Sequence, residues 1–162
     1  MRAEHVNPFV TAVQLVFETM LDSPVAVARP KLKSASTPSY DVTGIISLGG
    51  DVVGSAALSF PMETASAAVK AFTGNEVAPD DAMFADAIGE LANMVTGNAK
   101  KDLHNLSVNI SVPTVVIGRN HHLASHQLGP WVVLECGCGL GAFNIEVCVA
   151  EVAALAATGV KR

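Results

Sequence analysis

Side chains capable of chemistry concentrate in two stretches of this chain, one with helical spacing and one rich in His and Cys. In the first, Asp86, Glu90, Asn93 and Gly97 recur at intervals of three and four. A helix turns about 100° per residue, so these positions fall on one stripe. Phe84, Ile88, Leu91, Ala92 and Val95 fall on the opposite side, where burial would anchor the helix. An acid and amide stripe on an outward face is ordinarily plain solvated surface. Two of its members nevertheless work against the helix, since Asn is a below-average helix former and Gly costs roughly 1 kcal/mol relative to Ala. Standing mid-helix without a folding benefit, Asn93 and Gly97 point to a face kept for a partner.

The second stretch places His121, His122 and His126 ahead of Cys136 and Cys138. Its spacing matches no standard zinc arrangement, because Cys-X-Cys and adjacent His residues send their side chains in alternate or divergent directions. A polar loop followed by a strand is the simpler reading. Cys136, Gly137, Cys138, Gly139 and Gly141 lack the Lys-Ser or Lys-Thr and the following helix of a phosphate-cradling loop. Ser125 and His126 are neighbours in sequence only, with no sign of an oriented base or an oxyanion hole. With Cys148, the cysteines form an odd set in an apolar region, which suits reduced, buried thiols.

The elements that would position these residues can be read in order. From His5 to Leu21, Phe9, Val10, Val13, Val16, Phe17, Met20 and Leu21 recur at helical spacing, with Pro8 tolerable in the first turn. Val25 to Leu32 reads as a strand, and Ser34 to Ser39 as a polar loop. Asp41 to Leu48 and Val52 to Phe60 form a hairpin around Gly49-Gly50-Asp51. Pro61 opens an Ala-rich helix closed by Gly74, and Asp80 and Asp81 open a longer one running to about Asn105, with Lys100 and Lys101 suiting its carboxyl end. Ser107 to Gly118 predicts short strands broken at Pro113, and Trp131 to Cys136 with Ala142 to Val149 a final pair. In the last strand Phe143, Ile145, Val147 and Val149 would face the core, and Ala142, Asn144, Glu146 and Cys148 a wetter side. The order predicts an α+β fold, with helices packed on a largely antiparallel sheet.

The chain has 162 residues, of which 50% are hydrophobic but only 5% aromatic. That size fits one domain, residues 1–162, with a core of closely packed Ala, Val, Leu and Ile. A formal net charge of -5 argues against nucleic acid and anionic membrane as partners. Met1 to Pro8 shows no signal-peptide run and no stretch is long enough to span a bilayer, so the expected location is the cytoplasm.

The run Asp86-Ala-Ile-Gly-Glu90-Leu-Ala-Asn93-Met-Val-Thr-Gly97 resembles the signature helix of the CheC, CheX and FliY chemotaxis phosphatases. That signature has an Asp or Ser ahead of a Glu, an Asn three positions after the Glu, and a distant Pro. Asn7-Pro8-Phe9, Gly44-Ile45-Ile46, Gly54, Phe60-Pro61, Val112-Pro113 and Gly118 are similar to the CheX branch in order and spacing. The connection to Pro113 is somewhat shorter than in the family pattern. Glu18 is followed three residues later by Leu21 instead of Asn, which favours the one-site CheX arrangement over the two-site CheC arrangement.

The resemblance implies a CheC-like fold, with two long central helices and an amino-terminal helix on the sheet, and an aspartyl-phosphate phosphatase acting on a phosphorylated CheY-like receiver domain. It implies that Asn93 orients a water for in-line attack on the phosphoaspartate and that Glu90 pairs with a receiver lysine. An amide suits the first role because it can donate to and accept from one water at once. Asp86 would frame the site, and Gly97 would let the partner's loops approach. No cofactor of the chain's own is implied; Mg2+ is expected on the receiver, and a homodimer joining sheet edges is expected as well. The rival reading is a non-catalytic receiver-binding or flagellar-switch-like module, and a third is a metal-dependent protein using the His and Cys stretch. Intact Glu90 and Asn93 favour the enzyme.

Overall fold

The structure, a computed structural model, describes residues 3–34, 36–104, 106–124 and 129–157. Helix α1 (Ala3–Leu21) starts before the expected position, which puts Pro8 past the first turn. There its ring forgoes one intrahelical hydrogen bond. The helix holds because Val6, Phe9, Val13, Val16 and Phe17 are buried on one side. It ends where Asp22 takes a positive φ of 48° and the Ser23 amide donates to the Phe17 carbonyl at 3.1 Å.

The expected strand after α1 is two short pieces, β1 (Ala26–Val27) and β2 (Lys31–Leu32), both paired with the later strand over Val132–Cys138. Pro30, which has no amide to offer a ladder, lies in the break. The hairpin forms as expected from β3 (Val42–Gly50) and β4 (Val52–Phe60), in a register that sets Gly44 opposite Leu58 and Leu48 opposite Gly54. At its tip Gly50 has a φ of +103°, and a Cβ there would meet the Ser107 carbonyl oxygen, so only glycine fits.

Helix α2 (Met62–Thr73) closes on Gly74 in the left-handed conformation, whose amide donates to the Lys70 carbonyl at 2.9 Å. Helix α3 (Ala82–Lys101) follows, and then β5 (Val108–Ile110) and β6 (Thr114–Ile117) on either side of Pro113. β7 (Val132–Cys138), β8 (Gly141–Glu151) and a short α4 (Val152–Ala157) complete the described chain. Among the described residues the sheet is eight-stranded and antiparallel in every pairing, in the order β1-β7-β8-β4-β3-β5, with β2 also on β7 and β6 also on β3. The α+β architecture expected from the sequence is therefore present.

Helices α1, α2 and α3 contribute to a common core with the sheet. Its centre is an aromatic stack in which the Phe143 ring lies 4.6 Å from Phe17 and 5.2 Å from Phe60, centroid to centroid. Most of the remaining core is aliphatic, and it packs tightly. A Cβ added to Gly44 of β3 would stand 3.0 Å from the Ala92 Cβ of α3, so α3 rides directly on the sheet backbone.

The other side of β8 is not the wet face that its sequence suggests. Glu146 is 0% exposed and Cys148 is buried. The segments before β3 and after β6 cover them: the Lys33 ammonium and the Ser39 hydroxyl both donate to the Glu146 carboxylate, and the Ser39 amide donates to the His121 carbonyl. Thr43, Ser59 and His121 extend this polar layer through hydroxyl and ring contacts of 3.1 and 2.8 Å. Period-two alternation separates two faces but does not say what covers either of them.

Candidate functional site

The site begins with the start of α3. Asp81 caps it, its carboxylate accepting from the Met83 amide at 2.9 Å, and the core face follows at once with Phe84, Ile88, Leu91, Ala92 and Val95 all buried. Those five anchors fix the rotation of the helix, and the stripe is thereby turned outward. Asp86 and Glu90 are exposed, and Asn93 and Gly97 are half-buried along the same line. Helix geometry thus brings together all the residues singled out on this element.

Glu90 and Asn93 stand side by side. The Asn93 Nδ2 donates to a Glu90 carboxylate oxygen at 3.5 Å, a long hydrogen bond that a partner's groups can replace at small cost. Beyond Gly97 the surface is open. A Cβ there would find only the Ile110 Cδ1, at 3.8 Å.

A wall next to this pair went unread in the sequence. The Pro113 ring, ahead of β6, packs on α3 at Gly89, and with Ala85, Asp86, Glu90 and Val115 these residues line an open groove of about 570 Å³. The shorter connection after α3 therefore still delivers Pro113 to the side of the stripe. Gly89, immediately before Glu90, is the sequence signal that could have located this contact, since a mid-helix glycine often marks a close approach. Val112, which precedes Pro113 in the chain, is 83% exposed.

The His and Cys stretch is arranged differently. The His121 ring is held between the Thr43 hydroxyl at 2.8 Å and the Gly118 carbonyl at 2.9 Å. Cys136 is buried in the core, and burial pushes its thiol up to about 12. Cys148 is also buried, Cys138 is partly covered, and all three are free thiols. Ser125 and His126 lie outside the described residues.

An antiparallel sheet with helices packed on it places the chain in the CheC-like class of α+β proteins. Residues 42–136 match the family model described as chemotaxis phosphatase CheX, and the chain belongs to that family. A CheX chemotaxis protein from Desulfovibrio desulfuricans superposes with a TM-score of 0.83 at 28% identity, over 91% of this chain and 99% of that one. A CheC-like superfamily protein from a Shewanella species gives 0.82 at 29% identity, over 93% and 99%. The same fold occurs in CheX of Borrelia burgdorferi, whose structure is a complex with CheY, BeF3 and Mg2+, at a TM-score of 0.77 and 23% identity over 93% of this chain and 100% of that one. No curated protein sequence matches this chain. Among the described residues, no helix is long and apolar enough to cross a membrane.

Proposed function

We propose that this protein hydrolyses the aspartyl phosphate of a CheY-like receiver, with Asn93 holding the attacking water and Glu90 docking on a receiver lysine. The observation that carries the reading is the outward pairing of Glu90 and Asn93 on a helix whose opposite face is locked into the core. Both side chains can enter a partner's active site without any rearrangement of the fold. Membership of a family named for chemotaxis phosphatase activity, and a CheY complex of a structural relative, support a receiver as the partner.

The chemistry asks little of the chain. Water attacks phosphorus in line, the bond from phosphorus to the aspartate oxygen breaks, and the aspartate leaves as a carboxylate with inorganic phosphate as the other product. The Asn93 amide accepts a hydrogen bond from the water through its oxygen and donates one through its nitrogen, which aligns the nucleophile. Divalent charge on the phosphoryl oxygens comes from Mg2+ on the receiver. A carboxylate such as the leaving aspartate needs no general acid, so positioning is the main contribution. A receiver substrate implies work in the cytoplasm, and a homodimer that joins one of the exposed sheet edges belongs to the same reading.

Timing phosphate loss from a phosphorylated receiver, with and without the protein, tests this. Asn93→Ala is expected to lower the acceleration by roughly 100-fold or more, as loss of a single positioning group does in other hydrolytic sites. Acceleration equal to that of the parent protein would leave a binding module as the better reading.

A further inference from the structure

A second cluster of chemically capable side chains gathers beyond the carboxyl end of α3. Glu4 and His5 open α1, Glu151 ends β8, and Asp102 and His104 follow the last turn of α3. These five residues, with Leu103 and Leu106, line one cavity of about 300 Å³. None of them lies on the docking stripe, and no sequence spacing relates position 5 to position 151.

His5 is the unusual member. It is 4% exposed, its Nε2 lies 2.9 Å from a Glu151 carboxylate oxygen, and its Nδ1 is buried with no hydrogen-bond partner among the described residues. If Nε2 carries the proton and donates to Glu151, a lone pair on Nδ1 is sealed from water. If the proton sits on Nδ1, two acceptors face each other across 2.9 Å. Either tautomer leaves a buried polar atom unsatisfied, which is costly and uncommon in folded proteins.

A cation between Nε2 and Glu151 turns the two facing acceptors of the second tautomer into two ligands, and leaves the proton on Nδ1. One ligand atom from each of Glu4, His5 and Glu151 lies within 4.8 Å of the others. Donors around a single zinc ion stand at about 2.0–2.2 Å from it, so the three ligand atoms would have to draw together by about 1 Å to hold one. An imidazole with carboxylates suits zinc and its first-row neighbours, whereas calcium and magnesium prefer oxygen alone. Asp102 and His104 on the same wall can supply a fourth donor or hold a bound water. The helix end is also electrostatically apt, because the last carbonyls of α3 and its Asp102 cap carry negative charge toward this corner.

We propose that Glu4, His5 and Glu151 form a divalent transition-metal site, filled by zinc, that ties the first turn of α1 to the end of β8. The site is independent of phosphatase chemistry and of Mg2+ on a receiver.

Calorimetric titration of the untagged, chelator-treated full chain with zinc chloride tests the proposal, alongside thermal unfolding with and without zinc. Expected are one zinc ion per chain, a rise in Tm with zinc and none with the same concentration of magnesium. Cobalt should give visible ligand-field absorption when it occupies the site. His5→Gln and Glu4→Gln should each weaken binding by at least about tenfold. Glu4 is exposed, so Glu4→Gln reports on the site even if His5→Gln folds poorly. Absence of binding up to about millimolar zinc would overturn the site, that range lying far outside the affinities of structural zinc. Unchanged binding in Glu4→Gln, or binding lost on removing His121 and His122 instead, would overturn it equally.

Discussion

The Pro113 ring rests against the backbone of Gly89, so closely that a Cβ at position 89 would stand 3.1 Å from the proline Cγ. This contact joins the loop after β5 to the helical turn that carries Glu90, and it sets one wall of the groove beside the proposed site. Alanine at 89 gains about 1 kcal/mol of helix propensity and loses part of it to crowding. Valine cannot be placed without pushing Pro113 away. Gly89→Val is therefore expected to lower stability by about 1–3 kcal/mol in urea unfolding and to weaken receiver dephosphorylation as well.

Gly97 offers the opposite balance. Nothing in the fold needs its missing side chain, because a Cβ would make only an ordinary contact with Ile110. Gly97→Ala is expected to stabilise the chain by up to about 1 kcal/mol. If the bare backbone serves the approach of a receiver's loops, the same variant raises KM for the phosphorylated receiver while leaving the urea midpoint higher than in the parent. A more stable protein with unaltered KM would assign Gly97 no part in docking.

The side chains of Lys33 and Glu146 are both shielded from solvent, and the pair anchors the cover over the second face of the sheet. Lys33→Met keeps much of the volume but strands the carboxylate, so a loss of about 3–5 kcal/mol is expected. Lys33→Met combined with Glu146→Gln or Glu146→Leu should recover most of that loss. A double-mutant cycle by denaturant unfolding measures the coupling.

Cys136 should resist alkylation. Its thiol is pushed up to about 12, chiefly by burial, from an unperturbed value of 9.0, so it stays protonated in the native protein at neutral pH. Mass spectrometry after brief iodoacetamide treatment should find label on Cys138 before Cys136, and on Cys136 only after denaturation. The sign of the pH effect follows from linkage. Burial favours the neutral thiol, so its stabilising contribution is intact below pH 9.0 and is lost as pH rises from 9.0 toward about 12. A chain with Cys136→Ala should show a shallower loss of stability over that alkaline range than the parent.

The separation between what could be read and what could not follows the range of the physics involved. The stripe of α3 was legible because it depends on local periodicity alone: Phe84, Ile88, Leu91, Ala92 and Val95 point one way, and Asp86, Glu90, Asn93 and Gly97 must then point the other. The cap at Asp81, the stop at Gly74 and the hairpin at Gly50 were legible for the same reason, each being a backbone requirement met within a few residues.

The sequence by itself thus determined helices α1, α2 and α3, the hairpin and which residues share the outward face of α3, and did not show α4. Tertiary structure alone decided what lies against them: that Pro113 would meet Gly89, that Lys33 would seal Glu146 away from water, and that His5 would sit against Glu151 at the far end of the chain. Local spacing sets the direction of a side chain through φ, ψ and helical pitch. Its neighbours across long loops depend on how the whole chain closes, and hydrophobic burial, which drives that closure, is non-directional and names no particular partner.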